Sequence, residues 1–160
     1  MYMSENLSFR PITDDDMDYL YGLYASTRAD EMAMLTQWSD EEKENFVQMQ
    51  FKAQHQHYQE HFRHAAFDLI LVDGEPIGRL YVDRREDEHR VVDITLSPEH
   101  CGKGIGGRIM RDVLDEAATA NKMVRIHVEK NNVAMRLYER LGFKQVEDTG
   151  VYYLMERAPE

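Results

Sequence analysis

The chain has one cysteine, Cys101, in 160 residues. A single thiol excludes an intramolecular disulfide framework and makes a reducing compartment, the cytoplasm, the expected setting. No apolar run is long enough to span a bilayer, and the start of the chain carries Glu5 where a secretory leader would need an apolar stretch. Neither a membrane span nor a signal peptide is therefore expected. Positive charge is also scarce: 19 Lys and Arg against 30 Asp and Glu leave a formal net charge of −11. That balance argues against a nucleic-acid surface and mildly favours a small cationic partner. Repeats, low-complexity tracts and an interdomain linker are missing as well. A single domain over residues 1–160 is expected, long enough to bury a core without staples.

Glycine is concentrated in one place. From Cys101 to Gly107 the chain reads CGKGIGG, directly after an apolar stretch at Val91–Leu96 and directly before an amphipathic one. Without Cβ atoms, Gly102, Gly104, Gly106 and Gly107 let the backbone turn tightly and bring its N–H groups close to a ligand. The helix that follows adds unpaired N–H donors and the positive end of its dipole, which suits a phosphate or pyrophosphate. Two familiar phosphate loops do not fit. A P-loop needs Lys followed by Ser or Thr after its glycines, whereas Lys103 lies inside them. No register of the glycines meets G-x-G-x-x-G either.

Along the rest of the chain, Leu7–Thr13 reads as an edge strand. Asp14–Asp16 supplies helix caps, and Met17, Leu20, Tyr21 and Tyr24 form an apolar face. Ser26–Trp38 reads as a poorly periodic joint, and Ser39 with Glu42 as a capping box opening a long helix. Phe67–Asp73 and Ile77–Asp83 read as strands around a turn at Asp73–Pro76, followed by a solvated charged connection at Asp83–Arg90. Val91–Leu96 is the next strand. After the glycine loop come an apolar stripe (Ile109, Val113, Leu114, Ala117), a strand at Val124–Val128, and a helix at Asn131–Leu141. In that last helix Ala134, Leu137, Tyr138 and Leu141 share one face, and Gly142 caps its end. Phe143–Val146 and Val151–Met155 close the chain as strands. His57, His61 and His64 fall on one helical face, but without an H-E-x-x-H pattern they read as a solvated face, and no metal is expected.

The stretch from Leu96-Ser97-Pro98-Glu99 through Gly104 and Gly106 resembles the acetyl-CoA loop of the GNAT N-acetyltransferases, [Q/R]-x-x-G-x-[G/A]. Cys101 takes the Gln/Arg position, a departure that forfeits a side-chain donor. Asn131 through Phe143 is similar to the family's second signature, N-x-x-A-x-x-[LF]-Y-x-x-x-G-F. The segments 26–31 and 49–51 further resemble a bacterial stand-alone branch of the family. The resemblance implies an α/β fold in the order β-α-α-β-β-β-α-β-α-β-β, a mixed, mostly antiparallel sheet of seven strands with helices on both faces. It also implies transfer of an acetyl group from acetyl-CoA, as cosubstrate, to a primary amine by direct attack in a ternary complex.

Residue roles follow from the same resemblance. Main-chain groups of Ile94 and Leu96 would hold the pantetheine arm where a bulge splays the strand, with the Leu96 N–H as oxyanion donor. The loop from Cys101 and Gly102 through Lys103, Gly104, Ile105, Gly106 and Gly107 would bind the pyrophosphate, Cys101 being chemically a spectator. Asn131 (or Asn132, one residue on) would bond near the cofactor, and Ala134 would let it pass the helix. Tyr138 matches the family's general acid, its phenol protonated at pH 7. For the general base, Asp93, His127 and Glu129 stay open. The acceptor would be lined by Arg28, Trp38, Gln54, Tyr58, Tyr152 and Tyr153, where aromatic walls suit a small cation. Small-molecule and protein amines both fit, and a homodimer is within what the family implies. The competing readings are a non-catalytic acyl-CoA sensor of the same fold, a transferase of another acyl group, and a plain nucleotide-binding module.

Overall fold

A computed structural model describes residues 6–130, 132 and 134–159. Strand β1 (Leu7–Pro11) leads through a 3-10 turn at Asp14–Asp16 into helix α1 (Met17–Ala33). The entry is pinned by Arg10, whose two terminal nitrogens each donate to the buried Asp16 carboxylate at 2.8 Å. Helix α1 runs on through Ser26 to Ala33, where an irregular joint was expected. The reason is local: Ser26 and Thr27 donate their hydroxyls back to the Leu23 and Tyr24 carbonyls at 2.6 Å, so they do not compete with the helix ladder. Helix α2 (Asp40–His61) starts at the expected capping box, with the Ser39 Oγ accepting from the Glu42 N–H and the Glu42 carboxylate from the Ser39 N–H. On its exposed flank the rings of His57 and His61 stack at 4.1 Å.

Strands β2 (Ala66–Val72) and β3 (Glu75–Arg84) form a hairpin whose turn is confined to Asp73 and Gly74. Both have positive φ, 51° and 84°, which matches the twist of the strands they join. After β4 (Glu88–Leu96) come α3 (Ile105–Thr119), β5 (Met123–Glu129), the short α4 (Met135–Arg140), β6 (Lys144–Asp148) and β7 (Tyr152–Arg157). The described strands form one sheet in the order β1-β2-β3-β4-β5-β7-β6, in which β4 and β5 alone run parallel. Alternation along β2 divides the apolar residues between two layers. Leu69 and Leu71 pack with Leu20, Tyr24, Val47 and Phe51 of α1 and α2. Ile70 faces the other way, into the larger core built on Ile109, Met110 and Val113 of α3 and on Tyr138 and Phe143. No described helix is long and apolar enough to cross a membrane.

The charged run at Asp83–Arg90 corrects the sequence reading. Instead of a solvated connection it is mostly strand, with Asp83, Glu88 and His89 buried. Burial is tolerated because each of these side chains has a polar partner. Asp83 pairs with Arg85 at 2.9 Å, and Glu88 sits among Arg85, Arg90 and Arg125. His89 meets Glu116 at 2.5 Å.

Candidate active site

The parallel pairing of β4 with β5 is short. It starts at Glu88 opposite Met123 and stops at Val91 opposite Ile126. Immediately beyond, β4 carries an extra residue against β3: Val82 faces Val91 and Tyr81 faces Asp93, so Val92 is bulged. A bulge increases twist and bends the strand carrying it. The two strands part here, and a cavity of about 180 Å³ lies between Val92–Thr95 on one side and Ile126–Glu129 on the other.

Parting leaves one edge of β4 past Val91 without a strand partner among the described residues. The Ser97 N–H donates to the Ile77 carbonyl at 2.8 Å, toward β3. Main-chain groups alternate sides along a strand, so those of Leu96 and Ile94 point away from β3, and Ile94 lines the opening. On the β3 side the backbones approach so closely that a Cβ on Gly78 would lie 2.2 Å from the Thr95 carbonyl oxygen. Past Leu96 the chain enters the glycine loop. Gly102 and Gly104 have φ of 73° and 87°, and a Cβ added to either would meet no atom within 4 Å. Gly104 caps α3, whose first N–H groups follow at Ile105, Gly106 and Gly107. This open, left-handed turn ahead of a 15-residue helix fits a diphosphate. Cys101 is exposed on the loop, and burial and nearby Glu99 raise its thiol pKa.

Asp93, after the bulge, sits in a dense polar cluster. Its Oδ1 accepts from Arg79 Nε at 3.2 Å and from Thr95 Oγ1 at 2.6 Å. Its Oδ2 accepts from Arg79 Nη2 at 2.8 Å and from Tyr58 Oη at 3.0 Å. Arg79 Nη2 also donates to Gln54 Oε1 at 2.8 Å, so the cluster ties α2 to β3 and β4. Burial, and next the Asp93 charge, raise the Tyr58 phenol pKa, which keeps this hydroxyl a donor. Arg79 was missed by sequence reasoning although a signal existed. It is the one charged residue in the apolar stretch Ile77–Val82, and Asp93 interrupts Val91–Leu96 in the same way. Buried charges of opposite sign on adjacent strands need each other.

Tyr138 of α4 lines the same cleft and is itself buried. Burial, with the Asp93 charge adding to it, pushes its phenol pKa up to about 12. Arg28, Gln54, Tyr58, Asp93, Ile94 and Tyr152 are brought together here, with His127 and Glu129 on the β5 wall. The His127 pKa is lowered by burial and by Arg90, so its ring is neutral at pH 7. Trp38 is not among the lining residues; it packs edge-on against Phe46 at 5.4 Å. Tyr153 lies under Lys130 Nζ, 5.1 Å from the ring centroid. Ala134 is half-buried against the larger core, while Asn131 lies outside the described residues.

The family model described as the acetyltransferase (GNAT) family matches residues 32–143. The chain belongs to this family. Its activity is accordingly transfer of an acetyl group from acetyl-CoA, the cosubstrate, to an amine. Among curated GNAT proteins it is similar to the spermidine N(1)-acetyltransferase of Escherichia coli K12, 25% identical over 149 residues, covering 89% of this chain and 75% of that protein. A shorter match reaches the N-alpha-acetyltransferase RimI of Mycobacterium tuberculosis, 32% identical over 71 residues and 44% of each chain. The PaiA N-acetyltransferase of Thermoplasma acidophilum, solved in complex with coenzyme A, shares the fold with a TM-score of 0.69 at 18% identity, over 96% of this chain and 99% of that one.

Proposed function

We propose that the cleft between β4 and β5 joins a small-molecule amine directly to acetyl-CoA, with both bound at once. One observation carries this reading. The β4 edge that parts from β5 past Val91 opens at Ile94 into the same cleft as Tyr138 and leads through Leu96 into the glycine loop ahead of α3. Acetyl-CoA supplies the thioester carbonyl and a thiolate leaving group. The chain's residues meet what that reaction needs. Main-chain groups of Ile94 and Leu96 hold the pantetheine arm as though it were another strand, and the Leu96 N–H donates to the developing oxyanion. Amides from Gly102 to Gly107 seat the diphosphate, with Ala134 leaving room beside it. Tyr138, whose buried phenol stays protonated, donates to the departing sulfur.

Asp93, a candidate base on sequence grounds, does not take the proton in this mechanism. Its two oxygens already accept four hydrogen bonds, two of them from the buried Arg79 guanidinium, so no lone pair is left to receive a proton. It acts as a positioning residue that fixes Tyr58 and Gln54 on the α2 wall. The amine proton leaves by water on the β5 side, beside Glu129. Residues 1–160 act as one domain in this reading, and the exposed Cys101 thiol suits the reducing cytoplasm.

Acetyl-CoA titration combined with a thiol-release assay across amines tests the proposal. Saturable binding together with transfer to at least one amine is expected. Saturable binding with no transfer to any acceptor would make the chain an acyl-CoA sensor instead.

A further inference from the structure

Resting on the transferase reading, the chemistry of the acceptor follows from which charged groups in the cleft still have unfilled valences. Among the described lining residues, Arg28, Asp93, His127 and Glu129 could meet a charged molecule. Asp93 has no lone pair to spare, as set out above. His127 presents Nδ1 to Arg90 Nη1 at 3.4 Å. A guanidinium can only donate, so Nδ1 is the acceptor and the neutral ring carries its proton on Nε2. His127 thus offers the cleft an N–H and no base. That leaves Glu129 and Arg28.

These two stand 3.9 Å apart, Glu129 Oε1 to Arg28 Nη2. The distance is within Coulombic reach but beyond a hydrogen bond, so neither satisfies the other. Arg28 is nevertheless firmly held. Nη1 donates to Glu31 at 2.8 Å, Nε donates to the Tyr24 hydroxyl at 3.2 Å, and the guanidinium lies 5.3 Å from the Tyr24 ring centroid. The Nη2 end, toward β5, has no hydrogen bond among the described residues. An anchored guanidinium with a free end loses little freedom when it binds a planar anion.

The cleft therefore offers one cation and one anion side by side, and not an acidic trough. A polyamine would bring two or more ammonium groups against one carboxylate and an immobile guanidinium. A molecule with an ammonium and a carboxylate on one carbon would lie across Arg28 and Glu129 and complete both. We infer that the acceptor is a free α-amino acid. Arg28 Nη2 reads its carboxylate, which makes Arg28 the specificity residue, and Glu129 holds the α-ammonium until it gives up its proton to water.

The test is thiol release from acetyl-CoA by the full chain with α-amino acids, their α-carboxamides and spermidine. At least one amino acid is expected to exceed its own carboxamide in kcat/KM by about tenfold or more, the scale of one charge-assisted contact. Arg28→Gln should erase that ratio by raising KM for the acid alone. Acetyl-CoA affinity and the circular dichroism spectrum of the variant should be unchanged, and Arg28→Lys should recover part of the ratio. Carboxamides or spermidine used as well as every amino acid, or a ratio that survives Arg28→Gln, overturns the inference and leaves the transferase reading standing. Acetyl-CoA binding without transfer to any amine overturns both.

Discussion

Arg79 on β3 and Asp93 on β4 face each other diagonally and share two hydrogen bonds, of 2.8 and 3.2 Å, with the arginine side chain 3% exposed. Two buried charges are costly to desolvate, and this pair is tolerated because Tyr58, Thr95 and Gln54 fill the remaining positions around it. The pair lies next to the bulge that opens the sheet. It connects the stability of the fold to the shape of the cleft.

Removing one charge should cost more than removing both. Arg79→Met leaves the Asp93 carboxylate buried without its cation and should destabilise the chain by about 3–5 kcal/mol. Arg79→Met combined with Asp93→Asn should recover much of that loss. Urea denaturation of the two variants decides it. Equal destabilisation would mean that the pair's charge is not what matters.

Tyr138→Phe should lower kcat by about 100-fold, the lower end of what a positioned acid contributes, with acetyl-CoA affinity unchanged. A phenol whose pKa is pushed up to about 12 remains protonated, and able to donate, throughout the working range below that value. The wild-type kcat should therefore show no basic limb from this group up to the highest pH the fold survives. Stopped-flow thiol release across pH measures both effects.

Gly78→Ala should push β3 and β4 apart, because the new methyl would lie 2.2 Å from the Thr95 carbonyl oxygen, a backbone atom that cannot swing aside. Overpacking of this kind costs about 1–3 kcal/mol. Gly78 pairs with Leu96, so the KM for acetyl-CoA should rise along with the loss of stability. A variant with wild-type melting and wild-type KM would show that the close approach is dispensable.

The Arg10–Asp16 clasp predicts an acid-sensitive component of stability. Hydrogen bonds from Arg10 hold the Asp16 carboxyl pKa at about 2, against an ordinary 3.8. A depressed carboxylate stabilises the fold fully above the unfolded value, and the contribution disappears as pH falls from 3.8 toward about 2. Thermal melts over that window should lose less in Asp16→Asn than in the wild type, although the variant starts lower at neutral pH.

What could be read without coordinates was whatever depends on near neighbours in the chain. The Ser39 cap, the Asp73–Gly74 turn, the glycine loop before α3 and the Tyr138 helix each announce themselves within a few residues. They do so because caps, positive φ and helical faces are set by short-range sterics and hydrogen bonds. From these came the order of the elements and the two family motifs. Ser26–Ala33 was misjudged because weak apolar periodicity hides a helix whose hydroxyls bond back to their own turn.

Tertiary structure alone decided which distant groups meet. Strand register turned Asp83, Glu88 and His89 from a presumed solvated run into buried, paired side chains, and gave Arg79 its partner 14 residues away. It placed the bulge at Val92, parted β4 from β5, and set Arg28 of α1 beside Glu129 of β5. None of this is local. A charge tolerates burial only through the group opposite it, and in a sheet the opposite group is chosen by the pairing of whole strands.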